Sequence, residues 1–180
     1  MSVLVIELDS LKRGSCRKQG DIEASELGLD GESRFGFSGP LRLDVRVSTT
    51  DQLSFHITGG LAYTAAGDCR RCLNKVTATV ENELRGMYAF PEALGRLSIS
   101  EEERREQGIF PLLNNDREID LAAIVRENVV LEYPHFFQCE KDCTGLCLRC
   151  GKGLDNDSCD CVDQSMDPRW SKLLDLKNKK

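Results

Sequence analysis

Residues 41–90 read LRLDVRVSTTDQLSFHITGGLAYTAAGDCRRCLNKVTATVENELRGMYAF, and apolar and polar side chains alternate along most of this stretch. Alternation with a period of two is typical of strands that bury one face. Gly59-Gly60 interrupts the pattern and indicates a bulge or a turn. The stretch predicts an antiparallel meander of three or four strands. The positions expected on its buried face are Leu41, Leu43, Val45, Val47, Leu53, Phe55, Ile57, Val76, Ala78, Val80 and Leu84.

More polar segments flank this meander. Residues 2–8 favour another strand, whereas residues 10–34 are polar and contain glycine, with a helical tendency near residues 22–27. Residues 91–118 contain the charge run EEERRE and two prolines. Because charge runs are usually solvated, we predict a mobile loop there.

A single longer helix is predicted after this loop. Asp120 is a suitable N-cap, and apolar residues recur at helical spacing up to Tyr133, where Pro134 disfavours continuation. The predicted fold class is α+β: an antiparallel β-meander or open barrel-like sheet packed by one helix, with a C-terminal cysteine-rich zinc-binding segment and a short helix near residues 168–176. We predict two units, a sheet-and-helix core over residues 1–138 and a metal-binding segment over residues 139–180.

The composition restricts the class of protein. The 180 residues carry a net charge of −6, which argues against a general nucleic-acid coat protein, because such proteins need a basic surface. No apolar run of ~18 residues is present, and the first residues lack the regions of a secretory signal. We therefore expect a cytoplasmic protein without a membrane partner.

Eight of the nine cysteines fall into four close pairs, and Cys16 is expected to be a free thiol. Disulfides are disfavoured in the reducing cytosol, whereas a structural zinc ion takes four ligands in a tetrahedron. The pairs therefore predict two zinc ions. The predicted ligands are Cys69, Cys72, Cys139, Cys143, Cys147, Cys150, Cys159 and Cys161.

Three groupings keep the neighbouring pairs intact. We favour 147/150 with 159/161, because only eight residues separate these pairs and the loop between them closes at small entropic cost. The remaining group, 69/72 with 139/143, would fasten the C-terminal segment to the hairpin that carries CRRC. A second grouping joins 139/143 to 147/150, and a third interleaves the pairs.

Other chemistry is less well supported by the sequence. The ferredoxin spacing C-x-x-C-x-x-C is absent, and no helix clearly follows CRRC to activate a thiol for redox chemistry. His135 lies four residues before Cys139 and is an alternative ligand. No motif in the sequence combines a nucleophile, a general base and an oxyanion site, so we predict that the protein is not an enzyme.

Several of these segments together resemble one family. The chain resembles the YceD family of large ribosomal RNA subunit accumulation proteins in the order of six segments. These are CRRCL after a strand, the 119–127 segment, Pro134, the run C-x-x-x-C-T-GLC-x-x-CG, C-x-C and DPRW-x-x-L. The family usually has proline where this chain has Leu148. The resemblance implies a non-enzymatic role in large-subunit ribosomal RNA accumulation, in the bacterial cytosol, or in a plastid if the source is a plant.

The resemblance also implies a partner, the pre-ribosomal large subunit, contacted through ribosomal RNA or through a basic ribosomal protein. An acidic chain suits a basic protein partner. Direct contact with RNA would use local cations instead. These are Arg70, Arg71, Lys75, Arg149, Lys152 and Arg169. A thiol redox or metal-handling protein that uses the C-x-x-C motifs is the alternative function.

Overall fold

In the computed structural model of the chain, the structure describes residues 2–97 and 100–154, together with Cys159 and Cys161. The strands, in chain order, are β1 (Val5–Glu7), β2 (Ser15–Ile22), β3 (Leu41–Ser48), β4 (Ser54–Asp68), β5 (Lys75–Ala89), β6 (Ile109–Pro111) and β7 (Glu118–Asp120). The α-helices are α1 (Pro91–Leu97), α2 (Glu101–Glu106) and α3 (Ala122–Glu132), and two 3₁₀-helices span Leu8–Arg13 and Ala24–Leu27. The predicted C-terminal helix and Arg169 lie outside the described residues.

The predicted α+β class is confirmed. Five strands form one sheet in the order β2-β3-β4-β5-β6, with antiparallel neighbours except for the parallel pair β5 and β6. The short strands β1 and β7 pair with each other in a second, two-stranded sheet. Among the described residues, no helix combines the length and the apolar content needed to cross a bilayer.

The meander follows from the alternating pattern. Leu43 and Val45 of β3 are fully buried, whereas Arg42 and Arg46 point away from the core. The strands β4 and β5 form one long hairpin that runs in register from Ser54 opposite Ala89 to Asp68 opposite Lys75. The hairpin therefore carries its tip, CRRCLN, far from the centre of the sheet.

The prediction that Gly59-Gly60 makes a bulge or a turn was wrong. Both residues lie within the continuous strand β4. A Cβ atom on Gly59 would overlap the carbonyl oxygen of Asp44 and lie 2.7 Å from the Cα atom of Val45. Glycine is needed at residue 59 because β3 passes too close for a side chain.

The polar segments contain more structure than the sequence predicts. Residues 10–34 supply β2, which pairs along its whole length with β3. The predicted mobile loop over residues 91–118 contains α1, α2 and β6. The predicted strand over residues 2–8 is shorter than expected, because the chain turns into a 3₁₀-helix at Leu8.

The helix α3 packs on the sheet as predicted. It begins one residue later than an Asp120 cap implies, although the Asp120 carboxylate still accepts a hydrogen bond of 2.8 Å from the Ala122 N–H. Ile124 fits against Gly86 of β5, where a Cβ atom would collide with it. Val125 and Val129 are fully buried on the same face.

An aromatic cluster follows the end of α3 and places the next segment of the chain. The rings of Phe35, Phe37 and Phe137 meet the Tyr133 ring edge-on, with centroids 5.0–6.0 Å apart. The Tyr133 hydroxyl accepts a hydrogen bond of 2.8 Å from the Gly36 N–H and lies within donating distance of the Gly36 and Ala66 carbonyls. These contacts direct residues 134–138 toward the β4–β5 hairpin tip. The division into units at residue 138 stays a prediction.

Candidate metal centres

The hairpin tip forms a tight turn, which we call the first knuckle, over residues 69–74. The Leu73 N–H donates to the Cys69 carbonyl at 2.9 Å, and the Cys69 N–H donates to the Asn74 carbonyl at 2.8 Å. Leu73 has a φ of 61°, a left-handed conformation that is unusual for a residue with a side chain. The turn brings the Cys69 and Cys72 side chains together, and both are buried.

The chain after α3 supplies the second half of this centre. The Phe137 ring lies directly on Gly67 of β4, where a Cβ atom would overlap the ring. The Arg70 N–H donates to the Phe137 carbonyl at 2.9 Å, so the segment is hydrogen-bonded to the first knuckle. Cys139 follows two residues later, and a turn that includes a hydrogen bond from the Cys143 N–H to the Glu140 carbonyl brings Cys143 back.

These four sulfurs form a compact group, which we call the first tetrad. All lie within 4.8 Å of one another, with Sγ–Sγ distances of 3.9 Å for Cys69 and Cys143 and 3.5 Å for Cys72 and Cys139. A tetrahedral zinc ion with Zn–S bonds of about 2.3 Å requires sulfurs ~3.8 Å apart. The donor set and its spacing fit a tetrahedral metal ion.

The chain then repeats the same turn in a second knuckle over residues 147–152. The Gly151 N–H donates to the Cys147 carbonyl at 2.9 Å, and the Cys147 N–H donates to the Lys152 carbonyl at 2.8 Å. Gly151 takes the left-handed conformation, with φ of 72°, at the position that Leu73 occupies in the first knuckle. CRRCLN and CLRCGK are therefore two copies of one backbone arrangement.

The second tetrad consists of Cys147, Cys150, Cys159 and Cys161, and their sulfurs also lie within 4.8 Å of one another. It is more open than the first, because Cys150 is exposed and the other three are partly exposed. The C-x-C pair does contribute both sulfurs to one group. The acidic residues that neighbour these cysteines in the sequence, Asp155, Asp157, Asp160 and Asp163, lie outside the described residues.

Backbone hydrogen bonds polarise the first cysteine of each knuckle. The N–H groups of Cys72 and Arg71 point at the Cys69 sulfur and lower the pKa of its thiol to about 6. The N–H groups of Cys150 and Arg149 do the same at Cys147, whose pKa is also lowered to about 6. Thiolates are the form that binds metal, so each knuckle presents one sulfur ready for an ion.

The two knuckles adjoin each other. Leu146 packs against the buried cysteines of the first tetrad. Gly145, with φ of 83°, lies close to the first knuckle, since a Cβ atom on it would come within 3.2 Å of the Arg71 carbonyl. Leu146 also forms a bridge with Gly153, which closes the hairpin of the second knuckle. The second knuckle is thus built directly on the first tetrad.

The structure brings the eight predicted cysteines into the two groups that the short-loop argument favours. His135 is exposed and belongs to neither group. Cys16 lies apart in β2, with a free thiol. Sequence reasoning missed the packing of Phe137 on Gly67 and of Leu146 against the first tetrad. The repeated C-x-x-C spacing was the available signal for the likeness of the knuckles.

The chain is similar to one protein family and to several individual proteins. A family profile described as "Large ribosomal RNA subunit accumulation protein YceD" matches residues 57–177. An uncharacterized protein of Mycobacterium tuberculosis is 33% identical over 136 residues, which are 76% of this chain and 61% of that protein. The match therefore spans less than two thirds of that relative's length.

Two further relatives differ in coverage. An uncharacterized protein of Mycobacterium leprae is 28% identical over 167 residues, covering 89% of this chain and 73% of that protein. The Arabidopsis thaliana protein named "Large ribosomal RNA subunit accumulation protein YCED homolog 1, chloroplastic" is 34% identical over 61 residues, which are 34% of this chain and 19% of that protein. No solved structure gives a significant match to the chain.

Proposed function

Because this chain belongs to the YceD family, we propose that it is a non-enzymatic factor that supports the accumulation of large-subunit ribosomal RNA. The family match over residues 57–177 is the observation that carries the proposal, because this range includes both knuckles and α3. The partner that we propose is the pre-ribosomal large subunit, contacted through its RNA or a basic ribosomal protein. We place the protein in the cytosol, or in a plastid for plant members.

We also propose that the two tetrads bind two zinc ions. The ligands would be Cys69, Cys72, Cys139 and Cys143 in one site and Cys147, Cys150, Cys159 and Cys161 in the other. The support is the convergence of four sulfurs within 4.8 Å of one another in each group. In the first group, the Sγ–Sγ distances of 3.9 and 3.5 Å also suit a tetrahedral ion. Residues 139–154 bury few apolar side chains, so an ion would supply the free energy that orders them.

The chemistry that zinc supplies here is structural. A site closed by four protein ligands leaves no position for water or substrate, so it fixes the chain and activates nothing. In the first tetrad the chain's own residues would hold the C-terminal segment against the hairpin tip. In the second they would hold the exposed knuckle in one shape. The function would then lie on the surface that these two sites shape.

The cellular experiment is depletion followed by rescue. We expect depletion to lower the level of large-subunit ribosomal RNA relative to small-subunit RNA, and wild-type protein to restore it. The Cys143→Ser variant should fail, because a buried ligand of the first tetrad is lost, whereas Cys16→Ser should rescue because Cys16 lies outside both tetrads. Unchanged ribosomal RNA after depletion, with no co-sedimentation with large-subunit precursors at moderate salt, would refute the proposal.

The alternative is a thiol redox or metal-handling protein. The lowered pKa values of Cys69 and Cys147 favour it, since thiolates are also the reactive form in redox chemistry. Metal analysis of protein purified without added metal separates the two. Two tightly held zinc ions per chain support the structural role. Protein without metal, in which nine thiols titrate freely, would instead support thiol chemistry.

A further inference from the structure

The exposed side chains of the two adjoining knuckles form a surface that the tetrads do not use. We call it the knuckle surface and define it by Arg70, Arg71, Leu73, Phe136, Leu148 and Arg149. All six side chains are exposed. They hold no ligand position in either tetrad, so the structural role proposed for zinc does not account for them.

Large apolar side chains on this surface face solvent. Leu73 and Phe136 are 64% and 56% exposed, and Leu148 at the tip of the second knuckle is fully exposed. Leu73 also holds a left-handed backbone conformation, with φ of 61°, where the second knuckle has glycine. A side chain retained in a strained conformation, without burial to compensate, points to a role in contacting a partner.

The arginines on this surface are available to a ligand. Among the described residues, no carboxylate lies within ion-pair distance of Arg70, Arg71 or Arg149, whereas neighbouring Lys75 pairs with Asp68 at 2.7 Å. The Arg70 guanidinium stacks on the Phe136 ring, 4.0 Å from its centroid, and donates a long hydrogen bond of 3.5 Å to the Gln138 Oε1 atom. A stacked arginine and an aromatic ring provide two flat surfaces for a planar ligand.

We propose that the knuckle surface binds an unpaired, single-stranded segment of RNA. Bases would stack on the ring of Phe136 and on the Arg70 guanidinium, and Leu73 and Leu148 would cover the faces of neighbouring bases. Arg71 and Arg149 would contact phosphates. This inference rests on the proposed function, because it names the part of the large-subunit precursor that the protein contacts.

Charge favours stacking as the main source of affinity. The chain carries a net charge of −6, and four thiolates around a divalent ion would leave about −2 at each tetrad. Glu140 and Asp142 are also exposed in the segment between Cys139 and Cys143. The phosphate attraction is therefore local and modest, unlike that of basic proteins that coat duplexes. Stacking on unpaired bases depends less on net charge, so single strands fit this surface better than duplexes.

The test measures binding of the zinc-loaded full chain to fluorescent single-stranded RNA oligonucleotides of ~12 nucleotides, by anisotropy, with a duplex of equal length for comparison. We expect the single strand to bind more tightly. Phe136→Ala should weaken its binding about tenfold, in the range for loss of one stacked base. Arg149→Ala should weaken binding and lower the slope of log K against log salt by about 1.

Matched controls come from the opposite end of the sheet and from α3. Arg46 is exposed on β3, where it pairs with Thr58 of β4, and Thr58 lies ten residues before Asp68 at the hairpin-tip end of β4. Arg46→Ala therefore removes the same charge as Arg149→Ala at a position away from the knuckles. Leu131 of α3 is 67% exposed, so Leu131→Ala controls for loss of an exposed apolar side chain. Both control variants should bind RNA as the wild type does. Zinc content and the melting temperature must stay unchanged in every variant compared.

Three results would overturn the inference. One is equal binding by Phe136→Ala, Arg149→Ala and the controls, which would place RNA elsewhere. Another is duplex binding as tight as single-strand binding, and the third is no RNA binding by a protein that still co-sediments with large-subunit precursors. In the third case, loss of co-sedimentation by Phe136→Ala would identify a protein partner and leave the proposed function standing. Failure of depletion to alter ribosomal RNA would instead refute the proposed function itself.

Discussion

Replacing Gly67 with alanine should weaken metal binding at the first tetrad, although Gly67 is not a ligand. The added Cβ atom would overlap the Phe137 ring and lie only 3.0 Å from its Cγ atom. The ring cannot move freely, because it packs edge-on against Tyr133 and its backbone carbonyl accepts the hydrogen bond from Arg70. Displacing Phe137 displaces Cys139, which lies two residues further along the chain.

The magnitude follows from the packing. Forcing a methyl group into a filled contact typically costs ~1–3 kcal/mol in shifted side chains and backbone. We expect metal to hold the segment against the hairpin, so most of this cost should fall on the metal-bound state. The dissociation constant for zinc should therefore rise by roughly 5–150-fold.

The assay is competition with a chromophoric chelator, in a Cys147→Ser/Cys150→Ser background so that only the first tetrad binds. Gly60→Ala is the matched control, because Gly60 lies in the same strand and its added Cβ atom would meet only the Asn82 carbonyl, at 3.8 Å. We expect Gly60→Ala to leave zinc affinity unchanged. Wild-type affinity in Gly67→Ala would refute the idea that the contact between Phe137 and β4 positions Cys139.

Three other predictions concern the second knuckle, the order of metal loss and the aromatic cluster. Gly151→Ala should weaken zinc binding at the second tetrad by roughly tenfold, because φ of 72° costs an L-residue ~1–2 kcal/mol. The control Gly153→Ala should leave zinc binding unchanged, because its added Cβ atom meets nothing within 4 Å and residue 153 needs no positive φ. Equal effects of the two variants in chelator competition would contradict this. A chelator should remove the ion first from the second tetrad, in which no cysteine is buried, and then from the first, in which three of the four cysteines are buried. Zinc release should show two kinetic phases, and Cys150→Ser should abolish the fast phase rather than the slow one. Tyr133→Phe should lower the free energy of unfolding by ~0.5–1.5 kcal/mol, since the partly buried Gly36 N–H loses its partner; an unchanged denaturation midpoint would be inconsistent with that bond.

The sequence predicts the parts of this fold whose signal is local and apolar. The strand β3 is identified because every second residue is apolar, and α3 because its apolar residues recur at helical spacing. The strand β2 is missed because its inward positions include Cys16, Lys18 and Gly20, of which none is a strong apolar signal. Gly20 is there because Val3 occupies the space of a side chain, and that contact depends on the tertiary fold.

In the candidate sites, too, the sequence predicts the features that depend on the chain alone and misses those that depend on the tertiary fold. Cysteine spacing and the cost of loop closure indicate which pairs group together, because both depend on the chain alone. The exposed state of Phe136 and Leu148, and the stacking of Arg70 on Phe136, depend on how α3 directs the following segment. Phe136 and Phe137 are neighbours in the sequence, yet Phe137 packs against β4 and Phe136 faces solvent. Composition does not distinguish these two environments.

The two tetrads differ in the time that passes, during synthesis of the chain, between their first and their last cysteine. The second draws all its sulfurs from residues 147–161, so it can close almost as soon as its last cysteine is made. The first joins Cys72 to Cys139, which lie 67 residues apart, and needs Cys143 as well. At ~5–20 residues per second, the CRRC pair waits ~4–14 s for those partners. For that interval a growing chain exposes a half-formed site, with the hairpin already made and two thiols not yet matched.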